Sequence, residues 1–550
     1  MFGSFKSAFL LAMMTAVACA PAGPATDAQR GEARPQATKR LTLAVQESVS
    51  VLWGSEADVV AELYLAGLVA LDPDHLPRAQ LAEAVPTLEN GRWRLLEDGR
   101  MELTWTLRQG ARWHDGTPVT AEDVVFSALA PAEFPDLQLR SSSIYQAIDT
   151  IQAPDERTVV ATWKFPHARA DWLFSHQLGL PFARHLVEQT YRDNKDGFTN
   201  LRYWTTEMVG SGPYVVREFG PKSHMLLTAF DQYVLGRPKV DEIEIRFIED
   251  ANALVANLLA GAVDLTLGSG LSVSRAKQIE KDWPEGTLIY GPPGSSRAAY
   301  SQFIDPDPPI LANVQFRRAL AHAIDRQELI DSLQAGLGTP SHMLIADRGP
   351  DYEAIAPRVT RYEFDVRRAT ELIEGQGFTR GPDGAFRDSA GRELSVPLWA
   401  STDAQELTLG VSDYWRRVGV AAPPHFVPSG ADRSVMPSRP AVQMAALQTT
   451  LDTRFHSSQA PLSTNGFRGS NRSRYTNPEL DGLLDGYFTE IRPSEQRRLL
   501  GDIVKHIAEN VVVFHIYYDV VPQMMTKRVT NVTPRSTLSQ AWDSHLWDVR

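Results

Sequence analysis

The chain has 550 residues, of which 43% are hydrophobic and 22% charged, and its formal net charge is −12 at pH 7. This length exceeds what one compact core accommodates, so two or more lobes are expected. The acidic balance and the lack of a sustained Lys/Arg run argue against a nucleic-acid partner, and no stretch after residue 20 has the roughly 20 apolar residues of a membrane-spanning helix.

The N-terminus has the pattern of an export signal. Residues 1–18 contain Lys6, an apolar run and a small-residue end, and they precede Cys19, the single cysteine. We predict a signal peptide over 1–18 and lipidation of Cys19, which would anchor the protein to a membrane. The alternative is ordinary signal peptidase cleavage after Ala18, which the A-x-A rule also allows. Residues 19–40, rich in Ala, Pro and Gly, are expected to hold the anchor and form a flexible tether.

The folded body is predicted to open with a strand and a helix. Arg40 to Val45 begins a strand, and Val59 to Val69 has helical spacing. A turn at Leu71-Asp72-Pro73-Asp74 closes this helix.

Residues 101–129 predict a strand, a turn and a capped helix. Met101 to Leu107 alternates apolar and polar residues, as a half-buried strand does. Thr120 occupies the N-cap position of the helix, with Asp123 as its reciprocal capping partner three residues later. The apolar face of this helix is predicted to consist of Val124, Val125 and Leu129.

The turn itself, Trp113-His114-Asp115-Gly116, allows two interpretations. One is a hydrolase site that uses His114 and Asp115, but the motif offers no nucleophile. The other is structural, because Asp-Gly forms a tight turn in which glycine adopts positive φ without a Cβ clash. We therefore predict structural roles for both side chains.

A glycine-rich turn and a further capped helix are predicted between residues 210 and 261. Gly210-Ser211-Gly212 feeds a strand at Val215-Val216, and the glycine spacing does not match a phosphate-binding loop. Asp250 is placed as the N-cap of a helix that Gly261 ends. The strand before this helix is indicated by the alternation of Ile243, Ile245 and Phe247.

The later part of the chain predicts more helices and one buried strand. Phe316, Leu320 and Ile324 recur at helical spacing, and Asp325 with Glu328 has the form of a second capping box. A continuous apolar run, VVVFHIYY at 511–518, is typical of a buried strand. Two further helices are predicted over 363–377 and from 494 to about 509.

Taken in order, these segments resemble the extracellular solute-binding proteins of peptide-type ABC importers, family 5. The similar segments are LRQGARWHDGTPVTAEDVVFS at 107–127, GSGPY at 210–214, the strand and helix over 229–266, FRRALAHAIDRQELI from 316, and YTNPELD at 475–481. The resemblance implies an α/β, two-lobed, type II periplasmic-binding-protein fold with an extra subdomain inserted in the first lobe. The expected division is lobe I at 41–70, 205–290 and 518–550, the inserted subdomain at 71–204, and lobe II at 291–517.

The resemblance also implies a function. A protein of this family captures a solute between its lobes and delivers it to the permease subunits of an ABC importer, in the periplasm or at the cell surface. An oligopeptide or dipeptide is the leading ligand, and a glycoside, an opine, or a nickel or haem complex is the alternative. The sequence has no HExxH, GxSxG or Walker motif, so we expect neither an enzyme nor a bound cofactor. The histidines lack ligand spacing, so no metal site is expected, and the protein is expected to be a monomer.

Eight residues are predicted to meet the ligand. Ser48 and Trp53 follow the first strand, where the family places contacts, and Asn471 resembles an asparagine in one branch of the family. Peptide-binding members carry an aspartate that pairs with the α-amino group of the peptide. Thr450 falls at that position and Asp452 two residues later, so either Asp452 has taken the role or this anchor is absent. The remaining candidates are Trp204, Trp399 and His515, and core packing is the alternative for every aromatic residue.

Overall fold

The computed structural model describes residues 37–54, 57–134, 142–268, 271–291, 293–428, 441–534 and 540–550. Cys19, the predicted signal peptide and most of the predicted tether lie outside these ranges. Among the described residues, no helix combines the length and apolar character that crossing a bilayer requires.

The strands of the described residues fall into three larger sheets and three two-stranded pairs. In chain order they are β1 (Arg40–Val45), β2 (Val69–Leu71), β3 (Pro77–Ala79), β4 (Trp93–Leu95), β5 (Met101–Thr106), β6 (Ile148–Gln152), β7 (Thr158–Trp163), β8 (Tyr214–Gly220), β9 (His224–Ala229), β10 (Glu242–Phe247), β11 (Leu265–Leu267), β12 (Gly286–Tyr290), β13 (Ser295–Tyr300), β14 (Thr379–Arg380), β15 (Phe386–Arg387), β16 (Leu398–Ser401), β17 (Pro424–Val427), β18 (Val442–Gln448), β19 (Val513–Tyr518), β20 (Pro522–Thr526), β21 (Val529–Thr530) and β22 (Asp548–Val549).

Helices cover the sheets and cap their ends. The α-helices of the described residues are α1 (Asp58–Tyr64), α2 (Ala121–Leu129), α3 (Ser142–Gln146), α4 (Arg184–Asp193), α5 (Lys195–Phe198), α6 (Ala251–Leu259), α7 (Val273–Glu280), α8 (Val314–His322), α9 (Arg326–Leu333), α10 (Gly349–Ile355), α11 (Val366–Glu374), α12 (Gln405–Arg417), α13 (Pro478–Thr489) and α14 (Pro493–Glu509).

The first sheet has seven strands in the order β12-β20-β11-β1-β10-β9-β8. β1 runs parallel to β10 and β11, whereas β20 is antiparallel to both β11 and β12. The carboxyl ends of β1, β10, β11 and β12 therefore share one edge of the sheet. Leu41 and Leu43 of β1 are fully buried in the core, which explains the apolar alternation of that strand.

The second sheet has five strands in the order β17-β16-β18-β13-β19. β16 is parallel to β17 and β18, and β13 is antiparallel to β18 and β19, so β16, β17, β18 and β19 end at the same edge. Helices α8, α9, α11 and α12 pack on one face around Phe316 and Trp415. Helices α13 and α14 pack on the other face around Leu484 and Val504.

The chain passes between these two sheets at two places. One passage leads from Tyr290 at the end of β12 to Ser295 at the start of β13, and the other from Tyr518 at the end of β19 to Pro522 at the start of β20. Because both passages are short, the carboxyl-terminal edges of the two sheets face each other. We call the space between these edges the interlobe cleft; ligands of open α/β sheets bind beyond the carboxyl ends of strands.

A four-stranded sheet, β4-β5-β7-β6, forms the core of the inserted subdomain. β5 and β7 pair from Met101↔Trp163 to Thr106↔Thr158, and β5 alternates buried and half-buried residues as predicted. Trp105 and Trp163 belong to the same continuous core as Leu43 of the first sheet. The inserted subdomain therefore shares its hydrophobic core with the first lobe.

Several local predictions are confirmed and two are wrong. The capping box of Thr120 and Asp123 is present, and Asp250 and Asp325 cap their helices. The helix predicted over 59–69 ends at Tyr64, because the next residues must run extended to pair β2 with β3. Gly67 lies in that segment, where a Cβ atom would stand 2.2 Å from the carbonyl oxygen of Phe174. Leu129, predicted to face the core, is 57% exposed at the end of its helix.

The capping box predicted for Asp325 and Glu328 is present only in part. The Asp325 side chain accepts from the Glu328 backbone N–H, but the Glu328 carboxylate is hydrogen-bonded to Tyr414 instead. Arg317 and Arg318, which interrupt the apolar pattern of α8, donate to the carbonyls of Asn510 and Glu509 at the end of α14. The two arginines thus satisfy the carbonyl groups that a helix end leaves unpaired.

Candidate functional site

Polar side chains follow β1 directly at the interlobe cleft. Gln46 donates through Nε2 to the Glu249 carbonyl at 3.4 Å, beyond the end of β10. Its Oε1 and the Oγ of Ser48 are buried atoms that have no hydrogen-bond partner within the described ranges. A buried hydroxyl without a partner costs free energy that a ligand or water can restore. Ser48 therefore lies at a strand end with unused hydrogen-bonding capacity.

Trp53 and Trp204 lie side by side, although 151 positions separate them in the chain. Their rings meet edge to face at 5.7 Å, and both pack against Phe182. The indole N–H of Trp204 donates to the Phe198 carbonyl at 2.7 Å. Both tryptophans belong to the main core of the first lobe and inserted subdomain. Both side chains therefore pack in the core beside the segment that follows β1.

Trp399 lies in the second sheet, at the second residue of β16. Its ring stacks on His425 of the neighbouring strand β17 at 4.6 Å with an interplanar angle of 17°. It stands opposite Gln443 on β18, the strand on its other side. The indole is half-buried, and its register with the start of β18 places it away from the edge of the sheet that faces the cleft.

The segment after β18 holds the predicted aspartate, and that aspartate already has a cationic partner. Asp452 accepts from Nε and Nη2 of Arg454 at 2.7 and 2.6 Å and from the Arg454 backbone N–H at 2.8 Å. Burial by itself would raise the pKa of Asp452, but the hydrogen bonds and charge of Arg454 lower it overall. The carboxylate is therefore ionised and neutralised within the chain. Thr450, two residues earlier, is half-buried.

Asn471 is 1% exposed and holds two loops together. Its Nδ2 donates to the carbonyls of Tyr475 at 2.9 Å and His456 at 3.2 Å, and its backbone N–H donates to the Gln459 carbonyl. Its Oδ1 is buried and has no hydrogen-bond partner among the described residues. The amide thus has one acceptor left for a ligand or water.

His515 lies inside the second lobe, in the middle of β19. It is 4% exposed and borders an internal cavity of about 10 Å³ that Arg326, His342 and Tyr362 also line. Burial, with the nearby charges of Arg326 and His342, lowers the pKa of His515 to about 3, so the imidazole is neutral. The cavity volume corresponds to about one water molecule.

His114 and Asp115 do not contact each other through a catalytic hydrogen bond. The His114 Nδ1 accepts from the Gly210 backbone N–H at 3.3 Å, and its Nε2 lies 3.0 Å from the Gly212 carbonyl, to which it donates. Burial lowers the pKa of His114 to about 4, which fits this neutral tautomer. Asp115 accepts from the Thr117 N–H at 2.9 Å and lies 2.6 Å from His185 Nε2. His114 therefore joins its turn to the glycine-rich turn before β8, a longer-range structural role than turn chemistry predicted.

A contact between the inserted subdomain and the second lobe escaped sequence analysis. The Ala168 N–H donates to the Phe488 carbonyl of α13 at 2.7 Å, and the His167 ring stacks on Phe488 at 6.1 Å. The guanidinium carbon of Arg169 lies 4.7 Å from the ring centre of Trp172 and 5.8 Å from that of Phe488. Because 320 positions separate Ala168 from Phe488, no local pattern could have indicated this contact.

This contact, which we call the cross-lobe contact, lies near Asp452. Arg169 is one of the charges that lower the pKa of Asp452. Helix α13 also touches the segment beyond Asp452, where the Ser457 N–H donates to the Asp481 carboxylate at 2.8 Å. The site residues predicted at 450–452 are thus close to a place where the two lobes meet. Within the described ranges, no group of three or more His, Cys, Asp or Glu side chains is arranged to hold a metal ion.

Comparison with known proteins gives a family match over most of the chain. The family described as bacterial extracellular solute-binding proteins, family 5 Middle, matches residues 81–467. Protein XP55 of Streptomyces lividans is 27% identical over 454 residues, which cover 80% of this chain and 75% of that protein. The glutathione-binding protein GsiB of Salmonella typhimurium is 26% identical over 395 residues, which cover 70% of this chain and 69% of that protein.

Solved structures show the same fold. The oligopeptide-binding protein AppA from Bacillus subtilis, in complex with a nonapeptide, superposes with a TM-score of 0.73 at 19% identity and covers 94% of this chain and 100% of that chain. NikA from Brucella suis, in complex with Fe(III)-EDTA, superposes with a TM-score of 0.79 at 17% identity and covers 93% of this chain and 100% of that chain. The two-lobed type II fold expected from the sequence is therefore confirmed.

Proposed function

The chain belongs to the bacterial extracellular solute-binding proteins of family 5, and we propose that it captures a small peptide outside the cytoplasm and delivers it to the permease subunits of an ABC importer. The observation that carries this proposal is the pair of sheets whose carboxyl-terminal edges face each other across two chain passages. A ligand that contacts both edges stabilises the closed form in proportion to its differential affinity for that form. The function requires binding and closure, without covalent chemistry.

The proposed domain division follows the two passages. Lobe I comprises 41–70, 205–290 and 518–550, lobe II comprises 291–517, and the inserted subdomain comprises 71–204. Support comes from the strands, since β12 and β20 belong to the first sheet whereas β13 and β19 belong to the second. Tyr518 is the last residue of β19, so it falls on the lobe II side of the second boundary. The passages from β12 to β13 and from β19 to β20 then act as the hinge, where a few residues such as those at 519–521 absorb the rotation of one lobe against the other.

Among the predicted ligand residues, Ser48 and Asn471 have the most capacity for direct contact. Each has a buried oxygen atom without a hydrogen-bond partner in the described part of the chain. Thr450, half-buried just after β18, can contribute a further contact, whereas Trp399 is level with the start of β18 and lies away from the cleft edge. Trp53 and Trp204 pack in the core and support the segment after β1. His515 is buried inside the second lobe, where it lines the small internal cavity. Asp452 acts on the site indirectly, because its ion pair holds the side chain of Arg454 in place.

The proposed location is the periplasm or the cell surface, with Cys19 as a lipid anchor and a soluble periplasmic form as the alternative. Supporting this are the family's extracellular character and the export pattern of residues 1–18. The protein is proposed to act as a monomer without a catalytic role. Labelled palmitate should be incorporated by the wild-type protein and lost in Cys19→Ser; incorporation that survives the substitution would refute lipidation of Cys19.

The proposed function is tested by mass spectrometry of the small molecules that co-purify with the protein, because closed clefts often retain ligand. Peptides of two to five residues should be released on denaturation and should bind again to the emptied protein with a change in tryptophan fluorescence. The emptied protein serves as its own baseline. If a peptide library gives no fluorescence change and no retained peptide, peptide capture is excluded.

A non-peptide ligand is the second candidate, and one observation favours it. The Asp452 carboxylate is engaged by Arg454, so it is not free to pair with the α-amino group of a peptide. A metal chelate or another organic acid does not need that anchor, and the structurally similar NikA carries Fe(III)-EDTA. Elemental analysis of the same co-purified material separates the candidates. A metal present in an amount equimolar with the protein supports a chelate as the ligand. Bound peptide without metal supports a peptide as the ligand.

A further inference from the structure

We infer that Arg169 binds a carboxylate of the captured ligand where the inserted subdomain meets the second lobe. This inference rests on the proposed function and adds a chemical requirement to it, namely a free carboxylate on the ligand.

Two aromatic rings hold the Arg169 guanidinium in place. Its central carbon lies 4.7 Å from the ring centre of Trp172 and 5.8 Å from that of Phe488. Cation–π contacts of this kind stabilise the charge over a ring face while leaving the N–H groups free at the edge of the guanidinium plane. Trp172 belongs to the inserted subdomain and Phe488 to α13, so the guanidinium is fixed from both sides of the boundary.

The N–H groups of this guanidinium have no acceptor among the described residues. Arg169 is half-buried, and across the described residues its side chain has no ion pair and no hydrogen bond. Its backbone N–H donates to His167 Nδ1 at 3.2 Å, and its carbonyl accepts from the Trp172 N–H at 3.1 Å. Arg454 differs, since Asp452 and Gln448 accept its N–H groups. A half-buried guanidinium without an acceptor is costly unless another group supplies the oxygen atoms.

The charge at this boundary is unbalanced in favour of an anion. The negative charge of Asp452 is neutralised by Arg454, so it does not balance the positive charge of Arg169. Burial lowers the pKa of His167 to about 4 and also lowers that of His75, so both are neutral at pH 7. Burial raises the pKa of Asp171, two residues from Arg169, to about 7, and the charge of Arg169 opposes that rise. This carboxyl is therefore only partly ionised at pH 7 and offsets only part of the arginine's charge. The local balance therefore favours a ligand oxyanion.

A carboxylate fits this arrangement better than a neutral acceptor does. Its two oxygen atoms match two parallel N–H groups of a guanidinium, and charge-assisted hydrogen bonds are about twice as strong as neutral ones. Because Arg169 contacts residues of both lobes, a carboxylate bound there would also stabilise the closed form.

The test compares two matched probe libraries on the full-length protein. One contains tri- to pentapeptides with free C-terminal carboxylates, and the other contains the same peptides as C-terminal amides. Retention is measured by native mass spectrometry for the wild type, Arg169→Gln, Arg169→Lys and the control Arg192→Gln, which removes a surface charge paired with Glu188 in the same subdomain. Wild type and the control should prefer carboxylates by on the order of 10- to 100-fold.

In Arg169→Gln this preference should disappear while affinity for the amides stays that of the wild type, and Arg169→Lys should restore part of it. A purely structural role would weaken both libraries equally, and that result overturns the assignment. Wild-type retention of both libraries without preference also overturns it while leaving peptide capture intact. If the wild type retains neither library, peptide capture and the assignment of Arg169 both fail.

Discussion

Replacement of Asp452 by asparagine distinguishes an internal ion-pair partner from an α-amino anchor. In the structure the carboxylate neutralises Arg454, whose side chain is 14% exposed, and it also accepts the Arg454 backbone N–H. Asparagine keeps one oxygen for the backbone contact but removes the charge. Breaking a fully buried pair costs about 3–5 kcal/mol, but the Asp452 side chain is 41% exposed. Because solvent screens this pair, we expect Asp452→Asn to lower the free energy of unfolding by about 1–2 kcal/mol.

The pH dependence of this loss follows from the lowered pKa of Asp452. A carboxylate whose folded-state pKa is depressed stabilises the fold above its unfolded value of about 3.9, and this stabilisation is lost as pH falls through the folded-state value. The difference between wild type and Asp452→Asn should therefore be largest near pH 7 and should narrow as pH is lowered toward about 3. Calorimetry of the ligand-free proteins at both pH values measures it.

For a lobe of this size, 1–2 kcal/mol corresponds to a decrease in melting temperature of roughly 2–8 °C. Glu371→Gln is a matched control, because Glu371 pairs with Arg367 and Arg368 on an exposed helix face and should change stability by no more than about 0.5 kcal/mol. An unchanged melting temperature for Asp452→Asn together with a tenfold or larger loss of peptide affinity would refute the ion-pair argument. Asp452 would then be the α-amino anchor.

Three further perturbations address the scaffold around the cleft. His114→Ala removes both contacts with the glycine-rich turn. The free energy of unfolding, measured by urea denaturation, should fall by about 2 kcal/mol. A decrease below about 0.5 kcal/mol would contradict the structural role of His114. Phe488→Ala removes the ring of the cross-lobe contact, so small-angle scattering should show a larger radius of gyration without ligand, and equal radii would contradict a role in closure. Gly67→Ala places a methyl group 2.2 Å from the Phe174 carbonyl oxygen and should cost about 3 kcal/mol or more. The control Gly482→Ala, in open space on α13, should stabilise by about 0.5–1 kcal/mol; equal effects of the two glycine substitutions would contradict the close approach at Gly67.

The residues predicted to meet the ligand remain predictions, and their surroundings in the structure show how far the sequence could place each of them. Ser48 was placed at a strand end from its position after an apolar strand, and it lies there with an unpartnered oxygen. Asp452 was identified from a shift against a family pattern, but its pairing with Arg454 depends on how the segment after β18 folds back on itself. The contact of Arg169 with Phe488 could not be predicted, because no pattern within either segment distinguishes these two residues.

What the sequence determined by itself was the local structure and the family. Capping by Thr120, Asp250 and Asp325 and the alternation of β5 and β10 depend on residues two to four positions apart, so the order of residues contains that information. The tertiary structure decided which distant groups meet. The docking of His114 on the turn at 210–212 and the contact of Arg169 with Phe488 span about one hundred and three hundred positions. Such contacts depend on how sheets and helices pack in space, and no short-range periodicity in a single sequence records that packing.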